Sequence, residues 1–357
     1  MQRGKQIQEF AGKMVDKEVL KKALIDGAVI TDEELPSDAK NRMKRLIERV
    51  KKEYTFSKAG FNVSKEFELV DDPEAEAKLL FDSLSKATLK AKECVLKGAF
   101  LDIYDGADNQ PLLLRTAYFD IFELILDGLQ IKLPNYHNLV LGSPGIGKSL
   151  FHPFCMYVLI KANAPVFFQR RNYSGLFYEG RVYKSKVPLA ESTLLSRSNI
   201  WVLYDREESP QTIAPKNISI VVSSPKRARY WDYLKNSGCP APLYMPLWSF
   251  AELSHINGHL QDEFKITTDE LKKRFEFCGG VPHSIFINFS FFKKILEQTL
   301  RKLSLKDIDA NDIENLNEYL FGLKVPKNYF KCKVQFLSNT IAADVDRLIR
   351  ENASTFP

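Results

Sequence analysis

Disulfide chemistry is the first thing this sequence lacks. Its 357 residues include five cysteines, Cys94, Cys155, Cys239, Cys278 and Cys332, an odd number, widely scattered and without a Cys-x-x-Cys pair. Such usage suits a reducing compartment, where cysteine serves as a small apolar residue. Long apolar stretches are missing too. No uninterrupted run approaches the roughly 18 residues of a membrane span, so no membrane partner is expected. Met1, Gln2, Arg3, Gly4 and Lys5 open the chain without the apolar segment of a secretory signal. Internal repeats and low-complexity tracts are also absent.

What is present is ordinary globular chemistry. A 45% hydrophobic share is enough to bury a core, and the length suits roughly two to three domains. The formal net charge of +6 is compatible with nucleic-acid contact without requiring it.

The first hundred or so residues read mainly as helix. Met43, Leu46, Ile47, Val50 and Tyr54 keep helical spacing, and Lys40, Arg42, Lys44, Arg45, Arg49, Lys51 and Lys52 fill the positions between. That basic face is either a nucleic-acid surface or a solvated helix side. A second helix is expected from Asp72, as N-cap before Pro73, to about Gly98, and a third from Arg115 to Asp127, ending at Gly128.

From Asn135 the pattern changes. Short runs, apolar on both faces, recur at 138–141, 166–169, 200–204, 218–222 and 243–245, as central strands of a covered parallel sheet do. Residues 177–184 suggest a hairpin about Gly180. After Pro246 the chain returns to helix, with capping boxes expected at Ser249/Glu252 and Thr267/Glu270. Gly279, Gly280, Val281 and Pro282 close that block. Phe330, Cys332, Val334 and Phe336 alternate as a half-buried strand, and Ser338 caps a last helix to about Arg350.

Residues Gly142, Ser143, Pro144, Gly145, Ile146, Gly147, Lys148 and Ser149 fit G-x-x-x-x-G-K-[ST] in full, after an expected strand and before an expected helix that starts at Leu150. Glycine lets backbone N–H groups approach phosphates closely, and the helix N-terminus adds positive potential. Lys148 is the cation expected on the β- and γ-phosphates, and Ser149 the hydroxyl expected on Mg²⁺. A carboxylate on a nearby strand should order the metal, and Asp205, at the end of an apolar run, supplies it. Glu207 and Glu208 are candidates to polarise an attacking water, or are exposed loop acids. Ser223 and Ser224, at the end of another apolar run, are candidates to sense the γ-phosphate. Lys226, Arg227 and Arg229 follow, as phosphate or nucleic-acid contacts or as a solvated loop. Arg274 either reaches the nucleotide or makes a structural salt bridge. His255 and His259 lie four apart on an expected helix, but nothing beside them in sequence completes a zinc set.

Taken together, residues 142–149, 203–205, 221–225, 244–253 (Tyr-Met-Pro-Leu-Trp-Ser-Phe-Ala-Glu-Leu) and 274–282 (Arg-Phe-Glu-Phe-Cys-Gly-Gly-Val-Pro) resemble, in this order, the NTPase domain of Crinkler-type effectors and the related retrotransposon hot spot (RHS) proteins. The similarity covers about Leu112 to Arg350. It implies an NTPase module that sits ahead of a nuclease-like or toxin domain and acts in nuclei, often of a host cell. Crinklers are secreted effectors of oomycetes and fungi, and the hot spot proteins are nuclear in trypanosomatids. This sequence shows neither a ubiquitin-like header nor a proline-aspartate…acid-x-lysine nuclease constellation, so DNA cleavage is not expected of these residues.

The expected fold is therefore α/β: a P-loop NTPase three-layer sandwich with a parallel five-stranded sheet. Its divisions are an N-terminal mainly helical region (1–110), the core (111–248), a helical, winged-helix-like lid (249–329) and a terminal strand–helix segment (330–357). The expected function is slow hydrolysis of ATP with Mg²⁺ as a switch, in an effector acting in a nucleus on host nuclear proteins or nucleic acid. Two alternatives remain: a nucleic-acid-associated fragment that binds nucleotide without turnover, and a STAND-like regulatory ATPase working through a homo-oligomer.

Overall fold

The structure is a computed structural model and describes residues 35–36, 38–53, 62–73, 75–98, 111–130, 137–170, 173–187, 191–195, 200–205, 217–226, 230–237, 239, 241–302, 320–326, 329–330 and 332–353. Helix α1 (Ala39–Glu53) is followed by a single turn, α2 (Val63–Glu66), strand β1 (Phe67–Leu69), helix α3 (Glu76–Lys86) and the short strands β2 (Thr88–Lys90), β3 (Val95–Lys97) and β4 (Leu112–Leu113). Helix α4 (Thr116–Gln130) leads into β5 (His137–Leu141), helix α5 (Phe151–Lys161), β6 (Val166–Arg170), β7 (Tyr173–Tyr178) and β8 (Arg181–Ser185). Next come β9 (Trp201–Asp205), β10 (Ile218–Ser223), helix α6 (Trp231–Ser237) and β11 (Leu243–Tyr244). Helices α7 (Phe250–His259), α8 (Thr268–Cys278) and α9 (Phe289–Lys302) follow, then strands β12 (Phe321–Lys324) and β13 (Lys333–Phe336) and helix α10 (Asn339–Ala353).

The main sheet has eight strands in the order β1-β8-β7-β6-β9-β10-β5-β11. Its members from β6 to β11 run parallel and are the five apolar runs seen in the sequence. The expected five-stranded sheet is thus the parallel part of a larger, mixed one. Glu179 and Gly180 both hold positive φ, 47° and 75°, so the chain reverses in two residues and β8 returns antiparallel beside β7. The hairpin pairs with β6, and β1 closes that edge on β8.

Strand alternation sorts the apolar residues onto two covered faces. Val140, Phe168, Leu203, Ile220 and Val222 pack with the cores of α1, α3, α4 and α5. Leu139, Phe167, Val202, Tyr204 and Val221 pack on the other side with Tyr233 and Leu234 of α6 and with Leu194 and Leu195. Two apolar faces explain why these strands read as continuous apolar runs. Helix α5 is buried at every position from Phe151 to Leu159, between the sheet and α1, α3 and α4.

The N-terminal part is less helical than its periodicity suggests. The helix expected from Asp72 to Gly98 forms only over Glu76–Lys86, with Ala75 rather than Asp72 at its start. Beyond it β2, β3 and β4 make a separate three-stranded sheet. Val95, Leu96, Leu112 and Leu113 are all buried in the main core, so tertiary burial overrides the helical pattern there. Helix α4 runs through Gly128 to Gln130 instead of ending at the glycine. Helix α1 buries Met43, Leu46 and Val50 as expected, while Tyr54 lies outside the described residues. Two of its arginines reach acids of α4: Arg42 pairs with Asp120 and Glu123, and Arg49 with Asp127, while Arg45 is exposed.

After β11 the caps form largely as the sequence suggests. Ser249 accepts from the Glu252 N–H while the Glu252 side chain accepts from the Ser249 N–H, a complete capping box. Thr267 accepts from the Glu270 N–H, which is half of one. Ser338 accepts from the Ile341 N–H at the start of α10. Each such cap contributes about 1 kcal/mol. All five cysteines are unpaired and buried. Among the described residues, no helix is long and apolar enough to cross a membrane.

Candidate functional site

The loop 142–149 leaves the C-terminal end of β5 and enters α5 through a tight turn, Lys148–Leu150. Gly145 and Gly147 hold φ of 74° and 79°, a region that side-chain-bearing residues rarely enter. A Cβ at Gly142 would lie 2.7 Å from Ile146 Cδ1 and 3.1 Å from the Met245 carbonyl oxygen, so the loop start is closed to larger residues. Lys148 folds back across the loop, its Nζ donating to the Ser143 carbonyl at 2.7 Å.

Ser149 Oγ donates to Asp205 Oδ1 at 3.0 Å. The other carboxylate oxygen, Oδ2, lies 3.3 Å from Nε of Arg170, the last residue of β6. Parallel pairing places Arg170, Asp205 and Val222 in one row across β6, β9 and β10, so the sheet itself sets these distances. One step further along, Ser223 faces Leu141 at the base of the loop. The Ser223 and Ser224 hydroxyls are buried, 6% and 8% exposed, and make no hydrogen bond in the structure. A buried hydroxyl left unsatisfied costs about 1–3 kcal/mol. His152, the second residue of α5, is also fully buried. Burial lowers its imidazole to about 4, so it stands neutral in the field of Asp205.

Four elements outside the loop hold it in shape. Tyr118 of α4 donates its hydroxyl to the Gly147 carbonyl at 3.0 Å, and burial raises that phenol's pKa, keeping it a donor. Trp248 Nε1 donates to the Ile146 carbonyl at 2.7 Å. The His283 N–H donates to the Gly145 carbonyl at 3.3 Å, and the Leu323 N–H to Ser143 Oγ at 3.1 Å. Each of these bonds occupies an acceptor of the loop and none of its N–H donors.

Behind Trp248 lies a buried ion pair. Arg115 and Glu252 are 0% and 1% exposed, with Nε to Oε1 at 2.8 Å and Nη2 to Oε2 at 3.2 Å. The same guanidinium donates to the Pro246 and Leu247 carbonyls and stacks 4.8 Å from the Trp248 ring. It thereby fixes the segment that carries Trp248. The Trp248 N–H donates to the Gly280 carbonyl at 2.9 Å, and a Cβ at Gly280 would stand 2.1 Å from the Trp248 carbonyl oxygen. Gly280 thus lets the 279–283 turn approach Trp248, and on the loop side a Cβ at Gly145 would stand 2.9 Å from Val281 Cγ1. Arg115 and Tyr118 carry no motif in the sequence. The nearest signal is a lone arginine just before a helix whose other charged residues, Asp120, Glu123 and Asp127, are all acidic.

The remaining sequence candidates separate cleanly. Arg274 donates to Glu270 Oε1 and to the Ile285 carbonyl, both at 2.7 Å, and stacks over Phe289. In the structure it makes the salt bridge that the sequence offered as the alternative to nucleotide contact. Glu207, Glu208, Arg227 and Arg229 lie outside the described residues. The His255 and His259 rings lie 4.8 Å apart, tilted 58° to each other, with His255 Nε2 on the Glu93 carbonyl and His259 Nδ1 3.7 Å from the Glu93 carboxylate. Among the described residues no group of three or more histidines, cysteines or acids is arranged to hold a metal ion. The Ser149–Asp205 pair could therefore complete a metal shell only with oxygens from ligand and water, as Mg²⁺ sites commonly do.

No family model matches the chain. Two curated relatives do. The chain is 29% identical over 188 residues to Crinkler effector protein 15 of Phytophthora infestans, a stretch covering 50% of this chain and 29% of that protein. It is equally 29% identical over 188 residues to Crinkler effector protein 16 of the same organism, covering 50% of this chain and 28% of the relative. The chain is thus Crinkler-like over half its length, and the match spans less than a third of either relative.

Proposed function

We propose that the loop 142–149 holds the phosphates of a nucleoside triphosphate, ATP in the first instance, together with Mg²⁺, and that the chain is a P-loop NTPase working as a slow switch. The observation that carries this is the 3.0 Å contact between Ser149 Oγ and Asp205 Oδ1, two hard oxygen donors brought together from the loop and a neighbouring strand. The glycine conformations at 145 and 147 and the ammonium folded over the loop support it. In this scheme Lys148 carries charge to the β- and γ-phosphates, and Ser149 and Asp205 hold the metal and its water. Ser223 and Ser224 offer hydroxyls to the γ-phosphate. Bound Mg²⁺ supplies positive charge across the phosphate oxygens. The test is thermal-shift titration with Mg-ATP on the wild type and Lys148→Ala. The wild type should be stabilised and the variant, of equal basal Tm, should not. An equal shift in both would sink the scheme.

An effector-type role is proposed on the likeness to the two Crinkler effectors, with a nucleus as the place of action. A fluorescently tagged chain expressed in a eukaryotic cell and excluded from nuclei would count against that location.

A second reading, nucleotide-dependent nucleic-acid binding, draws on α1. Lys40, Lys44, Arg45, Lys51 and Lys52 are exposed along it, whereas Arg42 and Arg49 are turned inward to acids of α4. Steeply salt-dependent DNA binding, lost when Lys40, Lys44 and Arg45 are changed together to Gln, would support it. Binding that survives those changes would not.

A further inference from the structure

The carboxylate assigned to the metal is already paired with a cation of the chain's own. Arg170 ends β6 as the direct register partner of Asp205 at the end of β9, and Nε stands 3.3 Å from Oδ2. The two side chains are 14% and 12% exposed, so the pair is only weakly screened. In the sheet β9 lies between β6 and β10, with the loop-bearing β5 beyond β10. Asp205 is thus approached by Ser149 from the loop side and by the guanidinium from the opposite strand. Arginine does not deprotonate at any physiological pH, so this charge is permanent.

We propose that Arg170 is a positioning residue, a built-in counter-cation that orients and neutralises Asp205 and competes with a divalent cation for it. The proposal rests on the nucleotide–metal scheme above. Its physical basis is direct. With the guanidinium on Oδ2, the carboxylate presents less net charge to an incoming cation, and the metal-competent state is the fraction in which that contact is loosened. Apparent metal affinity falls by that fraction. The ion contact offsets part of the cost of a largely buried carboxylate when no metal is present, while Oδ2 itself makes no hydrogen bond in the structure. The metal therefore loads with the nucleotide, whose phosphates bring their own oxygens, rather than alone.

The experiment measures Mn²⁺ binding by its electron-spin signal, in the presence of a saturating non-hydrolysable ATP analogue, for wild type, Arg170→Gln and Arg170→Lys. Arg170→Gln should bind Mn²⁺ about fivefold more tightly, roughly 1 kcal/mol. Arg170→Lys, which keeps the charge without the planar fork, should fall between. Affinity for the analogue in EDTA should be the same in all three. In EDTA without nucleotide, Arg170→Gln should melt below wild type and Arg170→Gln/Asp205→Asn should recover, an exchange that a merely structural arginine would not show. If wild type binds Mn²⁺ with the analogue while neither variant binds it more tightly, the inference fails alone. If wild type does not bind Mn²⁺ with the analogue, the nucleotide–metal scheme fails and takes this inference with it. Should Arg170→Gln not fold, Arg170→Lys decides the matter by the same comparison.

Discussion

Trp248 and Ile146 are joined by a hydrogen bond of 2.7 Å from the indole N–H to the backbone carbonyl, across 102 positions of sequence. That bond makes the candidate phosphate loop and the segment entering α7 a single mechanical unit. The Trp248 N–H bonds the Gly280 carbonyl in turn, so the 279–283 turn reports on the same residue.

Replacing Trp248 by Phe keeps most of the ring and removes the N–H. The Ile146 carbonyl is buried and would lose its partner, so a loss of about 1–3 kcal/mol in stability is expected. Hydrogen exchange should rise at residues 143–149, and Mg-ATP should bind more weakly than to wild type. Unchanged exchange in that segment would show that the tryptophan does not hold the loop.

The Arg115–Glu252 pair makes a sharper test of how α7 is anchored. Removing either partner leaves a buried charge without compensation. Arg115→Met or Glu252→Met should each cost about 3–5 kcal/mol. Glu252 also accepts from the Ser249 N–H, so its loss removes the capping box as well. The double variant Arg115→Met/Glu252→Met should regain part of the loss, because an apolar pair in the same space carries no desolvation penalty. Urea unfolding of the three variants measures the coupling, and strict additivity would argue against a shared site.

Metal and phosphate roles should separate by substitution. Ser149→Ala removes the hydroxyl and Asp205→Asn removes the negative charge of the pair held at 3.0 Å, while both leave Lys148 and the glycines in place. Both variants should retain nucleotide binding in EDTA and lose most of the gain that Mg²⁺ confers. Steady-state turnover in Asp205→Asn should fall by about 10²-fold or more, as when a charge-stabilising group is removed from a reacting centre. Isothermal titration with and without Mg²⁺ checks the first expectation, and phosphate release checks the second.

The parts of this molecule that were legible in sequence are those where one local pattern governs. The five parallel strands are apolar on both sides because both sides are covered, and the loop carries its own spacing. Ser249 and Glu252 announce their cap because its partners lie three residues apart. Other features depend on distant partners. Val95 and Leu96 fit a helical repeat equally well, and only the core they meet turns them into β3. Arg115 becomes a hub through Glu252, 137 positions away, and Arg170 acquires meaning only when β6 and β9 pair in register. Arg274 illustrates a local choice that sequence leaves open between nucleotide contact and a salt bridge: it bonds Glu270, one helical turn back on the same helix.

Acid sensitivity follows from His137, at the start of β5 and far along the sheet from the loop. Its Nδ1 lies 2.7 Å from Ser219 Oγ, which in turn lies 2.9 Å from the Tyr233 hydroxyl. Burial lowers this imidazole to about 4, against about 6.5 in an unfolded chain. The unfolded state therefore binds the proton more readily than the folded one. Stability is fully present above pH 6.5 and is lost as pH falls from there towards 4, by about 3 kcal/mol for this one group. His152, held neutral in the same way, acts in the same direction. His137→Asn offers Ser219 a polar group that does not titrate. Its urea midpoint should start somewhat below wild type at pH 8 and decline less steeply between pH 6.5 and 4.5. Parallel curves for the two proteins would assign the acid loss to other groups.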